Sequence, residues 1–216
     1  MHRLLGWHTG VGEVGMRLFQ LHLLWVVGTL AGGIVLGVFL ATAAVYAVLR
    51  RDVMRDGRDG REALVREFRT AWVREFRTAN VLGYTLAALW VLLLWDGQLL
   101  GAGVFAAAAP AVAGLVTIAT VVLALTTTHA FALAAHFDEG PGALLRRSAV
   151  MVVARPVPTL VNAVVWAVVL CAYYVVPGLV PVFGMAGPAY LSFTYLWGTG
   201  LLPPQQPAQA GVLAPL

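Results

Sequence analysis

The sequence predicts an all-α, polytopic helical membrane protein with about six membrane helices (about five in the alternative count) and one cytoplasmic interfacial amphipathic helix. Of its 216 residues, 60% are hydrophobic and only 11% are charged, and the mean hydropathy is +0.83. Soluble domains carry about 25% charged residues. Several apolar runs also reach the roughly 20 residues that a helix needs to cross a bilayer core of about 30 Å.

The first apolar run extends from Leu18 to Leu49 and is too long for one membrane helix. As a single helix, this run would measure about 48 Å at about 1.5 Å per residue, which exceeds the bilayer core even with considerable tilt. Gly32 and Gly33 interrupt the run. We therefore predict two helices that are separated near this glycine pair, with one long, kinked helix as the alternative.

The later apolar stretches complete the predicted set of membrane helices. A continuous run after Ala102 reaches Asp138, so its end is expected to project past the membrane or to lie inside the protein. Pro156 and Pro158 suit a helix start, where a missing N–H costs little. Residues 1–202 are predicted to form one transmembrane domain, and 203–216 a disordered C-terminal tail. The predicted spans are 81–95, 102–125, 159–176 and 190–202, of which the last begins as early as Met185.

The basic residues indicate the orientation of the chain. All 14 are arginines, and nine of them lie between Arg50 and Arg77. Segments 50–63 and 138–155 are predicted to be cytoplasmic loops, because positive residues concentrate on that side of a membrane. Two predicted spans separate these segments, which is consistent with this orientation. The same rule explains the pI of 9.7 without nucleic acid as a partner.

The six residues REFRTA occur twice, at 66–71 and at 74–79. At about 100° per residue, a helix over 64–79 would carry its aromatic side chains on one stripe and most of its arginines on the other side. We predict an amphipathic elbow helix at the membrane surface, with Phe68, Trp72 and Phe76 as interfacial anchors. Its role as a structural elbow or as a docking helix stays open. The candidate contacts for a partner or for lipid phosphate are Arg66, Arg69, Arg74, Arg77, Arg146 and Arg147.

Polar residues within the apolar runs form a candidate intramembrane path. Polar groups at membrane depth are expensive and mark functional positions. Asn162 is expected to hydrogen-bond across helices. The threonines are expected either to bond to their own helix or to line a cavity. The path would comprise Thr126, Thr127, Thr128, His129 and Asn162.

The sequence predicts no catalytic centre, no cofactor and no metal site. It shows no Ser/His/Asp arrangement, phosphate-binding loop or cysteine cluster, and Cys171 is the one cysteine. His129 and His136 share a helix face near Asp138, but a histidine pair without a zinc motif around it is weak evidence for metal.

Three stretches resemble the YesL-like family of bacterial integral membrane proteins, whose function is unknown. These stretches are ATAAVYAVLRR at 41–51, EFRTAWVREFRTANVLGY at 67–84 and HAFALAAHFDEGPGALLRRSAVMVVARPVPTL at 129–160. Family members tend to carry a Pro-x-x-Thr-x-Gly turn after the first helix. Here only its glycine is retained, as Gly37. Because family members are often encoded beside carbohydrate-uptake ABC transporters, the resemblance implies an accessory role in sugar import.

We therefore expect a non-enzymatic accessory protein of the bacterial cytoplasmic membrane, associated with a carbohydrate-uptake ABC transporter. A small transporter or channel that uses the polar path is the alternative. The expected partners are membrane lipids and ABC transporter subunits. Small residues in the spans, such as Gly28 and Gly32, would also permit a homodimer through close helix packing.

Overall fold

The computed structural model describes residues 2–54, 60–104, 108–200 and 202, and nearly all of them are helical. None of these described residues forms a β-strand, as an all-α fold requires. The helices are α1 (His2–Ala31), α2 (Gly37–Met54), α3 (Arg61–Arg74), α4 (Phe76–Gly101), α5 (Ala109–His136), α6 (Pro141–Ala154), α7 (Pro156–Val175), α8 (Val180–Phe183) and α9 (Ala186–Gly198). The predicted tail, 203–216, lies outside the described residues.

The first apolar run is divided into two helices, as predicted. The backbone turns at Gly33 and Ile34, which both have positive φ, and the Ile34 amide donates a hydrogen bond to the Thr29 carbonyl at 2.9 Å. Gly37 lets the two helices approach closely, because a β-carbon there would lie 2.2 Å from the Thr29 carbonyl oxygen. The alternative of one long, kinked helix is therefore excluded.

Helix α2 is the centre of the bundle. Ten of its 18 residues are buried, and it packs against α1, α3, α4, α5 and α9. At its far end, Arg17 of α1 forms a two-pronged ion pair with Asp52, with both N–O distances at 2.6 Å. The α1–α2 hairpin is thus fastened at both ends, by the glycine turn and by this ion pair.

Among the residues that the structure describes, four helical segments are long and apolar enough to cross a membrane: Gly12–Ala31, Phe76–Gly101, Ala109–His136 and Pro156–Val175. Pro177–Phe183 and Ala186–Gly198, which are bent by 72°, would together make a fifth. The predicted count of six is not confirmed. The prediction counted α2 as a membrane helix, but α2 is not among the candidate spans. Its last turns carry the charged residues Arg50, Arg51 and Asp52.

Large apolar side chains are exposed along the helices that could cross a membrane. Trp95 on α4, Ile118 on α5 and Val168 on α7 are examples. Exposed apolar side chains in this number are typical of a lipid-facing surface, because a soluble protein rarely exposes large apolar patches. The chain is therefore a multi-pass membrane protein.

The predicted elbow helix over 64–79 needs a correction, because the structure has two helices there. Helix α3 ends at Arg74, the backbone turns at Glu75, and Phe76 begins α4. The first copy of REFRTA (66–71) consequently lies within α3, whereas the second copy (74–79) begins on the last residue of α3 and continues through the turn into α4. This turn involves neither glycine nor proline, the residues that usually mark a helix break.

Both predicted cytoplasmic loops are largely helical. Residues 50–54 are the last turn of α2, and 61–63 begin α3. Residues 141–154 form α6, which packs along α5 and α4. Burial of Leu144, Ser148 and Met151 on one side of α6 stabilises this helix in a segment that its arginines had marked as a loop. The remaining loop residues 55–59 lie outside the described part of the chain.

Other predicted boundaries agree with the structure. Helix α7 begins at Pro156, and α5 continues to His136. The last helix runs over Ala186–Gly198 and so starts near Met185, the early start of the predicted 190–202 span.

Candidate functional site

Helix α3 is fixed to the bundle through its apolar face. Leu64, Phe68 and Ala71 are buried. The Phe68 ring packs on Gly28 of α1, where a β-carbon would lie 3.0 Å from the ring. The indole nitrogen of Trp72 donates a hydrogen bond to the Gly28 carbonyl at 3.3 Å. The absence of a side chain at Gly28 therefore allows α3 to pack closely on α1. This close packing is between helices of the same chain.

The predicted interfacial anchors have three different environments, and this corrects the idea of one membrane-facing stripe. Phe68 is only 5% exposed and packs inside the protein, whereas Phe76 is 48% exposed. Trp72 is half-buried. Glu75, with φ −85° and ψ 6°, interrupts the helix between the two phenylalanines, so the eight-residue spacing of one continuous helix does not apply to them.

The opposite face of α3 is exposed and basic. Arg66, Arg69 and Arg74 lie there, with Val65 and Val73 exposed between them. A shallow surface groove follows this face. These arginines therefore point away from the described part of the bundle, and the opposite side of α3 packs against it.

A second recess lies between α2 and α3 and has a volume of about 600 Å³. Helix α2 contributes Arg50 and Arg51, and α3 contributes Arg66, Arg74 and Glu67. We call this recess, which Ala47, Val48, Met54, Thr70 and Ala71 also line, the α2–α3 cleft. Sequence reasoning missed it, because Arg50 and Arg51 had been assigned to a loop.

Electrostatic contacts hold the walls of the α2–α3 cleft. Glu67 forms an ion pair with Arg51 at 2.7 Å, and its side chain is 9% exposed. Arg74 contacts the neighbouring Glu75 at 2.8 Å. Burial and the nearby positive charge of Arg74 both lower the pKa of Arg50. The cleft therefore brings arginines from two helices together with the carboxylates that pair with two of them.

The second group of predicted contacts lies on α6. Arg146 and Arg147 are exposed. Arg147 forms an ion pair with Glu139, and its guanidinium carbon lies 4.2 Å from the centre of the Phe137 ring. Arg147 thus has partners within the chain. Arg77, near the start of α4, is exposed.

The residues of the predicted polar path make separate contacts: those on α5 bond to their own helix, and Asn162 bonds to another helix. The hydroxyl groups of Thr126 and Thr127 donate to carbonyls of their own helix, both at 2.7 Å, and Thr128 donates to the Leu125 carbonyl at 2.8 Å. His129 is completely buried, with Nδ1 2.9 Å from the Leu125 carbonyl oxygen. The back-bonding option for the threonines is confirmed.

Asn162 lies in a buried polar junction of three helices. Ser192 on α9 donates a hydrogen bond to Asn162 Oδ1 on α7 at 2.8 Å, and Tyr46 on α2 hydrogen-bonds to Ser192. All three residues are buried. The predicted interhelical bond of Asn162 is confirmed. Sequence analysis missed Tyr46 and Ser192, which carry no local signal.

The described residues include no group of three His, Cys, Asp or Glu side chains that could hold a metal ion. His136 instead contacts aromatic rings, at centroid distances of 4.9 Å to Phe137 and 5.9 Å to Trp197.

Comparison with known proteins gives one family match. Residues 18–97 match the model of a family described as "Protein of unknown function, DUF624". This range covers less than half of the chain but contains α2, α3 and the whole α2–α3 cleft. No curated protein and no solved structure matches.

Proposed function

We propose that this chain is a non-enzymatic accessory protein of the bacterial cytoplasmic membrane, and that it belongs to the YesL-like family. Its proposed partner is a carbohydrate-uptake ABC transporter, whose cytoplasmic side it would contact through the exposed face of α3. The family match to a model of unknown function is compatible with this assignment, and the transporter is suggested by the sequence resemblance alone.

One observation carries the docking role: α3 is fixed on one side and basic on the other. Leu64, Phe68 and Ala71 on one side of the helix are buried against the bundle, so the exposed arginines on the other side stand on a rigid support. Arg is enriched in protein interfaces and dominates many of their hot spots. Val65 and Val73, both exposed among these arginines, would supply the apolar contact area of such an interface.

The orientation of this face follows from the distribution of charge. Nine of the 14 arginines lie between Arg50 and Arg77, the part of the sequence that includes the end of α2, all of α3 and the start of α4. Positive residues near membrane helices favour the cytoplasmic side. We therefore place the α3 face in the cytoplasm, where the ATPase subunits and cytoplasmic loops of an importer lie.

Co-purification from native membranes tests this proposal. The variant in which Arg66, Arg69, Arg74 and Arg77 are all replaced by Glu should lose the permease and ATPase subunits that the native chain retains. Replacement of the same four residues by Lys should keep most of the binding, because the charge is preserved. Arg155→Glu, at another exposed site, is the control for a general effect of charge. Unchanged co-purification of the four-Glu variant would refute the docking role.

A small transporter or channel is the second candidate function. Two buried nitrogens favour it: His129 Nε2 and Asn162 Nδ2 have no hydrogen-bond partner among the described residues. Such groups could contact a polar solute. Proteoliposomes should then show flux of sugars or ions that His129→Ala abolishes, and a tight membrane for a full panel of solutes would exclude this function.

A further inference from the structure

A partly enclosed cavity lies where α1, α2 and α9 meet, apart from the α2–α3 cleft. Its volume is about 230 Å³. Helix α1 contributes Arg17, and the last turn of α2 contributes Asp52. Helix α9, which packs against both of these helices, contributes Tyr190 and Thr194. We call this space the α1–α2–α9 cavity.

The charged residues that line the α1–α2–α9 cavity are one arginine and one aspartate, and they pair with each other. Arg17 donates two hydrogen bonds to the Asp52 carboxylate, both at 2.6 Å, and the two side chains are only 11% and 12% exposed. A carboxylate has about four lone-pair positions, so Asp52 can accept further hydrogen bonds from a ligand while Arg17 holds it in place. Because the two charges offset each other, the net charge of the lining favours neither an anion nor a cation.

Helix α9 adds two hydroxyl groups to the cavity, one helical turn apart. Several threonine hydroxyls elsewhere in the bundle donate to the carbonyl four residues earlier, as those of Thr117 and Thr120 do. Within the part of the chain that the structure describes, the hydroxyls of Tyr190 and Thr194 form no such bond. Each of them can therefore donate a hydrogen bond to a ligand and accept one from it.

These features define the chemistry of a matching ligand. Asp52 accepts hydrogen bonds and the two hydroxyls both donate and accept them, so the ligand carries several hydroxyl groups. It is uncharged, because a further charge in this partly buried space would have no counter-ion. Leu18 and Leu49 line the same cavity and would contact its carbon-bound hydrogens.

The volume of the cavity limits the ligand to a small molecule. At about 30 Å³ for each water molecule, about 230 Å³ corresponds to about seven or eight waters. Sites for drug-sized ligands are larger, at about 300–1,000 Å³.

We propose that the α1–α2–α9 cavity binds a small neutral polyol, up to the size of a hexitol. Asp52 accepts hydrogen bonds from the polyol, Tyr190 and Thr194 bind further hydroxyl groups of it, and Arg17 keeps the Asp52 carboxylate in position. This site goes beyond the proposed docking role, because it needs no protein partner and lies apart from the exposed face of α3.

Calorimetric titration of the full-length protein tests the site, in a polyoxyethylene detergent that has no sugar headgroup. The three probes share a six-carbon polyol chain and differ in charge: sorbitol is neutral, gluconate is an anion and N-methylglucamine is a cation at neutral pH. Sorbitol should bind at least about tenfold more tightly than either charged probe, because a buried charge without a counter-ion is costly. Absence of sorbitol binding, or equal or tighter binding of a charged probe, would overturn the proposal.

Matched variants localise the binding. Tyr190→Phe combined with Thr194→Val removes both hydroxyls and keeps similar side-chain shapes, so the affinity for sorbitol should fall by about tenfold or more. Tyr174→Phe combined with Thr117→Val removes the same groups from exposed positions outside the cavity and should leave the affinity unchanged. Equal losses in the two variants, or no loss in either, would overturn the site. Thermal unfolding without ligand verifies that both variants are folded.

The titration and the co-purification fail independently. Sorbitol binding by the purified chain does not depend on an importer, so it would persist if the docking role were refuted. Conversely, the substitutions on α3 that test docking do not alter the α1–α2–α9 cavity, so their effect on a partner would be the same if the cavity bound no polyol.

Discussion

Replacing Phe68 and Phe76 by Ala, one at a time, compares two identical sequence contexts that the fold separates. Each phenylalanine is the third residue of a REFRTA copy. Phe68 is 5% exposed and packs on Gly28, whereas Phe76 is 48% exposed at the start of α4. The structure therefore predicts unequal losses from two substitutions that the sequence alone would treat as equivalent.

The expected difference follows from the burial of the two rings. Removal of a buried phenylalanine ring costs about 3–5 kcal/mol, because packing contacts are lost and a cavity remains. Substitutions at exposed positions usually stay within about 0.5 kcal/mol. Phe68→Ala should therefore destabilise the protein by at least about 2 kcal/mol more than Phe76→Ala, which exceeds a tenfold change in the unfolding equilibrium.

Equilibrium unfolding in mixed micelles, with increasing sodium dodecyl sulfate and detection by circular dichroism, measures both free energies. Gly28→Ala tests the same contact from the side of α1, because its β-carbon would lie 3.0 Å from the Phe68 ring. The cost of Gly28→Ala should shrink in the Phe68→Ala background, where that ring is absent. Equal losses for the two phenylalanines, or no interaction between residues 28 and 68, would refute the packing of α3 on α1.

Two further predictions use the same unfolding assay. Gly37→Ala should lower the free energy of unfolding by about 1–3 kcal/mol through overpacking, because its β-carbon would lie 2.2 Å from the Thr29 carbonyl oxygen. The control is Gly97→Ala, which should have no steric cost because no atom lies within 4 Å of its β-carbon. A double-mutant cycle of Ser192→Ala and Asn162→Ala should give a coupling of about 0.6–1.7 kcal/mol for their interhelical hydrogen bond. A value near zero would contradict the contact.

Local signals explain which elements could be predicted from the sequence. The glycine pair at 32–33 marked the turn between α1 and α2, and Pro156 marked the start of α7. Hydrophobic length identified the long helix α5. These features depend on backbone conformations that glycine and proline favour or on run length, and both can be read without knowledge of the tertiary structure.

The remaining features depend on distant residues. The different burial of Phe68 and Phe76 depends on Gly28, which lies on another helix. The α2–α3 cleft forms because α3 packs back along the end of α2, and that placement brings Arg50 near Arg74. Asn162, a polar residue in an apolar run, indicated a polar contact. Ser192 and Tyr46 become its neighbours only through helix packing. Periodicity within one segment contains none of this information.

Cysteine labelling tests most directly whether α3 is fixed by its apolar face and presents its basic face to the cytoplasm. In a Cys171→Ser background, which removes the exposed native thiol, Arg69→Cys and Leu64→Cys would be treated with a membrane-impermeant maleimide. Arg69→Cys should react in inverted membrane vesicles and not in intact spheroplasts, and Leu64→Cys, at a fully buried position, should react only after denaturation. Equal labelling of the two positions in native vesicles, or labelling of Arg69→Cys from outside the cell, would contradict the account.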